Sequence, residues 1–87
     1  MKTKLIKIKE ILVNYVDIVD YDRDSIEYLI DTVDYLLQDR IPLTKAVLDV
    51  IIEDVMIAST YHKSKELLEV VSILTELSKE ITCLLPE

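Results

Sequence analysis

The chain contains no glycine among its 87 residues. The tight turns that join antiparallel strands usually need a residue at positive φ, most often glycine or the pair Asn-Gly. Phosphate-binding loops also depend on glycine, because the backbone must approach the phosphate closely. The composition therefore disfavours an all-β fold and excludes a glycine-rich nucleotide-binding loop.

Residues that carry chemistry are equally scarce, with one histidine, one cysteine and no tryptophan. His62 stands between Tyr61 and Lys63 in a polar stretch that we interpret as a turn, so we expect it to be a surface residue. No second ligand follows it at zinc-like spacing. Cys83 lies in an apolar segment, which favours a small buried side chain over a reactive thiol. We predict no catalytic residue, no cofactor and no metal, and hence no enzyme.

Basic residues are few, since 10 Lys and Arg stand against 17 Asp and Glu and give a net charge of −7. Such a chain repels phosphates, so direct binding of nucleic acid is not expected. Lys2, Lys4, Lys7 and Lys9 form a local exception at the start. The longest apolar segment, 46–58, is interrupted by acidic residues and does not predict a membrane span.

One cysteine cannot form an intrachain disulfide, and the lysine-rich start does not lead into an unbroken apolar segment. These features predict a cytoplasmic protein. The chain has only one asparagine and one glutamine beside many Ile, Glu and Lys residues, which is a balance typical of proteins from thermophiles.

Apolar residues make up 51% of the chain and recur at helical spacing. We predict a single all-α domain, 1–87, built as a small antiparallel bundle of about four helices. The first helix should cover about 4–19. Its predicted core stripe is Leu5, Ile8, Leu12, Tyr15, Val16 and Val19.

A second helix is predicted to start at Ser25, because Asp24 and Glu27 match a capping box. Its stripe remains in phase with that of the first helix, so one long helix over about 4–38 is the alternative. The predicted inner face is Ile26, Leu29, Ile30, Val33, Leu36 and Leu37.

Pro42 suits the first position of a third helix that should run to about Ala58. This segment is apolar on most sides, with a stripe at Val47, Val50, Ile51, Val55 and Ala58, and we expect it to be the central helix of the core. Residues 59–63 are predicted to be a connection. Ser64 should cap a fourth helix that ends near Pro86, with a stripe at Leu67, Val71, Leu74, Leu77, Ile81 and Leu84.

Between Asp17 and Asp39, carboxylates and tyrosines recur at helical spacing on neighbouring stripes of one surface. Like charges at this spacing destabilise a helix by a few tenths of a kcal/mol per pair, a penalty that a basic partner would remove. Tyrosine is enriched at binding hot spots. A solvated helix face is the simpler alternative. The candidate partner-binding residues are Asp17, Tyr21, Asp24, Tyr28, Asp31 and Tyr35.

The aspartates at 20, 22 and 24 also resemble the start of an EF-hand calcium loop. The match fails later, because Ser25 stands at the glycine position and Asp31 replaces the bidentate glutamate. A calcium site is therefore not predicted.

From Leu36 onward the chain resembles a small, poorly characterised archaeal family of helical proteins. The similar positions are Asp39, Ile41 and Pro42 with Lys45, and the segment 71–78, Val-Ser-Ile-Leu-Thr-Glu-Leu-Ser. The Asn-Asp-Pro that follows this segment in the family does not occur here. The resemblance implies a helical bundle without known catalysis, and it extends to small accessory subunits of crenarchaeal replicative DNA polymerases.

Two functions fit these features. The first is an acidic accessory or adaptor protein that binds a larger protein with a basic surface, or that self-associates. The alternative is a viral or plasmid-borne inhibitor that mimics nucleic acid and occupies the basic cleft of a nuclease or polymerase.

Overall fold

Four helices follow one another along the chain: α1 (Lys2–Ile18), α2 (Arg23–Leu37), α3 (Lys45–His62) and α4 (Lys65–Leu84). The computed structural model describes the backbone of residues 2–84 and the side chains of residues 2–81. Within residues 2–84 there is no strand. The predicted all-α class is confirmed.

The helices form a ring in which each contacts two neighbours. The neighbouring pairs are α1–α2, α2–α3, α3–α4 and α4–α1. Within the described chain the backbones of diagonal helices do not approach one another, although the Tyr15 and His62 side chains meet across the α1–α3 diagonal. Lys2 at the start of α1 pairs with Asp39 just after α2, and Lys4 pairs with Glu80 near the end of α4. These pairs show that α1 runs antiparallel to both neighbours, as expected for an antiparallel four-helix bundle.

The core lies along the axis of this ring and receives side chains from all four helices. Fully burying one Leu, Ile or Val side chain stabilises a fold by about 1.5–3 kcal/mol. The stripe predicted for α1 is buried at every position, and in α4 Val70 is buried where Val71 was expected. The buried residues of α2 are Ile26, Leu29, Val33 and Leu36, and those described for α4 are Leu67, Val70, Leu74, Leu77 and Ile81.

The expectation that the third helix is central is wrong. In a ring of four helices no helix is surrounded, and α3 exposes Val50 by 58% and Ile57 by 52%. The predicted stripe shares Ile51, Val55 and Ala58 with the buried one, but because α3 is apolar on most sides it also included the exposed Val50. The buried stripe is Leu48, Ile51, Val55, Ala58 and His62.

The chain breaks between α1 and α2, so the single long helix is excluded. Asp22 adopts a left-handed conformation, with φ 51° and ψ 38°, directly before α2 begins at Arg23. Asp22 therefore occupies the cap position, and the predicted capping box at Asp24 is wrong. The Ser25 hydroxyl donates a hydrogen bond of 2.8 Å to Asp22 Oδ1, which fixes this bend.

The third helix starts later and ends later than predicted. Thr44 caps it, since its hydroxyl oxygen accepts a hydrogen bond from the Val47 amide, and Pro42 lies before the helix rather than at its first position. Residues expected to form a connection extend the helix to His62. Lys63 then turns the chain at φ 50°, and its amide donates to the Ser59 carbonyl.

Ser64 caps α4 as predicted, because its hydroxyl oxygen accepts a hydrogen bond of 3.1 Å from the Glu66 amide. The side chain of Cys83 and the residue Pro86 lie outside the described part of the chain. Among the described residues, no helix combines the length and the apolar character that crossing a bilayer requires.

The lysines at the start of α1 oppose the helix dipole, and their ion pairs show what they do instead. Lys2, Lys4 and Lys9 reach carboxylates near the ends of α2 and α4, at 3.0, 2.7 and 2.6 Å. These lysines therefore join helix ends within the bundle.

Candidate partner-binding groove

A groove of about 610 Å³ opens on the surface between the start of α2 and the end of α3. Its base includes Leu29 and Ala58, which belong to the core. Aromatic and aliphatic side chains form its walls, and carboxylates stand at its edge. The residues that line it include Tyr21, Tyr28, Ile57, Tyr61, Asp24 and Asp54.

The three tyrosines of the groove are exposed by between 50% and 70%. Tyr28 lies on the outer face of α2, Tyr61 lies in the last turn of α3, and Tyr21 lies in the connection before α2. Aromatic side chains this exposed are available for contact and contribute large area with few rotatable bonds.

Tyr21 is held in place by the end of α3. Its hydroxyl donates to the backbone carbonyls of Tyr61 and His62, at 3.5 and 3.4 Å, and its ring stacks on the His62 imidazole. One groove wall is thereby fixed to the opposite helix.

His62 is the last residue of α3, and its side chain is fully buried. Its Nε2 lies 3.1 Å from Asp22 Oδ2, and its Nδ1 lies 3.0 Å from the Tyr15 hydroxyl. A carboxylate only accepts, so Nε2 carries a proton, and in the neutral imidazole the Tyr15 hydroxyl donates to Nδ1. The prediction of a surface histidine is wrong, because α3 continues past Ala58 and turns this residue inward.

The order Asp22, His62, Tyr15 is the order of acid, base and hydroxyl in a catalytic triad. Tyr15 is nevertheless buried, and neither Tyr15 nor His62 lines the groove. Burial also raises the pKa of the Tyr15 hydroxyl, with the Ser64 hydroxyl acting in the opposite direction. A buried tyrosine whose pKa is raised is a poor nucleophile. We therefore assign the three side chains a structural role, in which they connect α1, α3 and the segment before α2.

The candidate partner-binding residues divide into three locations. Four of them are exposed and share one stripe of α2, the α2 stripe, which consists of Asp24, Tyr28, Asp31 and Tyr35. Tyr21 lies in the connection, and Asp17 lies on α1. Only Tyr21, Asp24 and Tyr28 line the groove, while Tyr35 instead stands under the Arg40 guanidinium at 5.5 Å.

Sequence reasoning missed the α3 side of the groove, which consists of Asp54, Ile57 and Tyr61. These residues continue from Val50 at spacings of four, three and four, so they share one helix face. A helix that is apolar on most sides buries one face and needs a second contact for the other. The apolar residues beyond those of one buried face were the available signal, but Val50 was assigned to the core.

Two of the three aspartates considered as a calcium loop have other contacts or positions. Asp22 accepts from Ser25 and contacts His62, as described above, and Asp24 lies within the first turn of α2. Within the described residues, no group of three His, Cys, Asp or Glu side chains is placed to hold a metal ion.

Comparison of the chain with protein-family models, with curated proteins and with solved structures finds no match in any of the three. A function for this chain therefore has to be inferred from the geometry of the groove and of the α2 stripe.

Proposed function

We propose that this chain is a non-catalytic accessory or adaptor protein that binds a larger protein with a basic surface. The observation that carries the proposal is the open, tyrosine-lined groove beside the acidic stripe of α2. A groove with exposed aromatic walls and polar edges is the form that protein-binding hot spots take.

The charge of the α2 stripe supports a basic partner. Asp24 and Asp31 alternate with Tyr28 and Tyr35 along the exposed side of α2, and the whole chain carries a net charge of −7. A partner that brings Lys or Arg side chains would remove the repulsion along this stripe and would be attracted over a distance of about one Debye length, roughly 8–10 Å. The finer proposal, a small subunit of an archaeal DNA polymerase holoenzyme, rests on the resemblance alone.

The alternative is an acidic inhibitor that mimics nucleic acid in the basic cleft of a nuclease or polymerase. The same carboxylates favour it, since regularly spaced negative charge is what such a cleft binds. The tyrosine walls distinguish the two functions. A charge mimic needs the carboxylates, whereas an adaptor also needs the aromatic side chains.

Affinity capture from the native host, with the bound protein identified by mass spectrometry, tests the proposal. The variant Tyr28→Ala with Asp31→Lys should abolish capture and leave the helical circular dichroism unchanged, because both side chains are exposed. A matched control is Ser72→Ala with Glu69→Lys, which makes the same charge change at the same spacing on the exposed side of α4.

Capture that survives the α2 variant would contradict the proposal. Where an enzyme is captured, its activity in the presence of this chain distinguishes the two functions. An adaptor should leave its activity intact or raised, whereas a mimic should compete with DNA and lose its effect as salt increases.

A further inference from the structure

We infer that the groove between α2 and α3 binds an arginine side chain of the partner, beside one apolar side chain of the same partner. This inference rests on the proposed function and specifies which part of the surface is used and what chemistry it recognises.

The groove is built to attract a cation. Tyr21, Tyr28 and Tyr61 line it with exposed side chains, and Asp24 and Asp54 add carboxylates to the lining. Among the described residues that line the groove, none is basic. A cation over an aromatic face is attracted by the ring quadrupole, and a nearby carboxylate adds a charge-assisted hydrogen bond.

The planar guanidinium of arginine fits this arrangement better than the ammonium of lysine. It stacks on aromatic rings, it is weakly hydrated, and its fork of donors matches a carboxylate. The chain already contains one such contact, because the Arg40 guanidinium lies 5.5 Å from the ring centre of Tyr35. The groove offers three tyrosines with no arginine of its own among the lining residues.

The apolar part of the groove accounts for the second side chain. Ile57 is half exposed on one wall, and Leu29 and Ala58 form the base. A volume of about 610 Å³ is within the range of pockets that hold a small ligand, so it admits a few side chains but not a whole helix. The backbone of the partner therefore lies above the groove.

A second copy of this chain is a poor occupant. In a two-fold dimer each copy presents the same patch, so the carboxylates of Asp24 and Asp54 would approach those of the other copy. Three of the lysines at the start of α1 are already paired with Asp39, Glu80 and Asp34 of the same chain. Charge complementarity thus favours a basic partner over self-association.

The test uses the full chain labelled with ¹⁵N and two synthetic peptides. Each peptide is an alanine-based helix of about 15 residues, a length that supports helicity. One carries Leu and Arg four positions apart, and the other replaces Arg by citrulline, which keeps the shape but has no charge. The arginine peptide should shift the amide signals of Ser25, Tyr28, Ile57 and Tyr61, and the citrulline peptide should bind about three- to tenfold more weakly.

Variants assign the effect to the groove. Tyr61→Ala and Asp54→Asn should each weaken the arginine peptide by about three- to fivefold. Tyr35→Ala removes a tyrosine from the same α2 stripe outside the groove and should leave its affinity unchanged. Equal affinity for the two peptides, no binding of either, or shifts centred on Asp31 and Tyr35 would each overturn the inference.

Capture from the host separates this inference from the proposed function. If Tyr28→Ala with Asp31→Lys abolishes capture but Tyr61→Ala with Asp54→Asn does not, the partner binds α2 without the α3 side of the groove, and the inference fails. If both double variants still capture the partner, the proposed function itself fails.

Discussion

The ring of Tyr21 lies nearly parallel to the imidazole of His62, with ring centres 4.8 Å apart and planes at 20°. Tyr21 is half exposed and lines the groove, whereas His62 is buried and tied to Asp22 and Tyr15. The position of an exposed binding side chain is therefore set by a buried polar cluster. Changes to that cluster should alter both stability and the groove.

His62→Ala should lower the free energy of unfolding by about 2–4 kcal/mol, because it leaves a cavity and removes the partners of two polar groups. Urea denaturation followed by far-ultraviolet circular dichroism measures the change. Tyr61→Ala, one residue earlier but exposed, should change stability by about 0.5 kcal/mol or less. A loss of unfolding free energy for His62→Ala as small as that for Tyr61→Ala would show that the cluster contributes little.

Stability at alkaline pH should depend on Tyr15. Burial raises its pKa above the ordinary 10.0, so the unfolded chain loses this proton at lower pH than the folded protein. Stability should therefore fall as the pH rises above 10.0 and through the folded pKa. Tyr15→Phe should cost about 1 kcal/mol at neutral pH, since His62 Nδ1 loses its donor, but should flatten the alkaline decline.

Lys4 acts in the same pH range and provides the control for Tyr15. Its hydrogen bond to Glu80 raises its pKa above 10.5, so its contribution is also lost as the pH rises through the folded pKa. Lys4→Gln should remove only that part of the decline. An alkaline slope that Tyr15→Phe leaves unchanged would contradict the role given to Tyr15.

At acid pH, protonation of Glu66 and Glu80 should lower the stability of the fold. The Ser64 hydroxyl and the Glu66 amide lower the pKa of Glu66, and Lys4 lowers that of Glu80, both from the ordinary 4.5. The unfolded chain binds these protons first, so stability should fall as the pH drops below 4.5 and through the folded pKa values. Glu66→Gln and Glu80→Gln should each flatten this decline in a urea titration repeated at several pH values.

Ser64→Ala tests the cause of the Glu66 effect without changing any charge. It removes the hydroxyl that contacts the Glu66 carboxylate and should flatten the acid decline in part, because the Glu66 amide also lowers this pKa. A full acid slope in Ser64→Ala would mean that the hydroxyl does not hold the Glu66 pKa down.

Lys63→Gly should stabilise the fold by about 1 kcal/mol. Lys63 has φ 50° at the end of α3, a conformation that costs a residue with a Cβ about 1–2 kcal/mol and costs glycine almost nothing. The greater freedom of glycine in the unfolded chain offsets part of the gain. Lys65→Gly, two residues later at the start of α4, should instead destabilise by about 0.5–1 kcal/mol, and thermal unfolding of both variants compares them.

The helices and most of the core were predictable because their signal is local. The stripe predicted for the first helix, from Leu5 to Val19, is buried at each position, since most of the remaining residues are polar or charged. In α3 the true stripe from Leu48 through Ala58 to His62 keeps the same three-four spacing. The prediction included Ile51, Val55 and Ala58 but also Val50, because apolar residues extend round most of α3, and it placed His62 in a connection.

The candidate site was predictable only in part, since it joins residues from distant positions in the chain. Periodicity selected Tyr21, Asp24 and Tyr28, but no local pattern indicates that Ile57 and Tyr61 lie opposite them. The contact of His62 with Tyr15 spans 47 positions and depends on how the helices are arranged. Such pairings follow from the packing of the whole bundle.

The pair α2–α3 has the least extensive contact of the four neighbouring pairs in the ring, and the groove lies along it. The bundle can therefore be viewed as two helical hairpins, α1–α2 and α3–α4, and local opening should separate them first at this boundary. A ligand that binds both sides of the groove would hold the hairpins together. Its binding free energy would then add to the stability of the fold, so that the partner would slow amide hydrogen exchange well beyond the residues it touches.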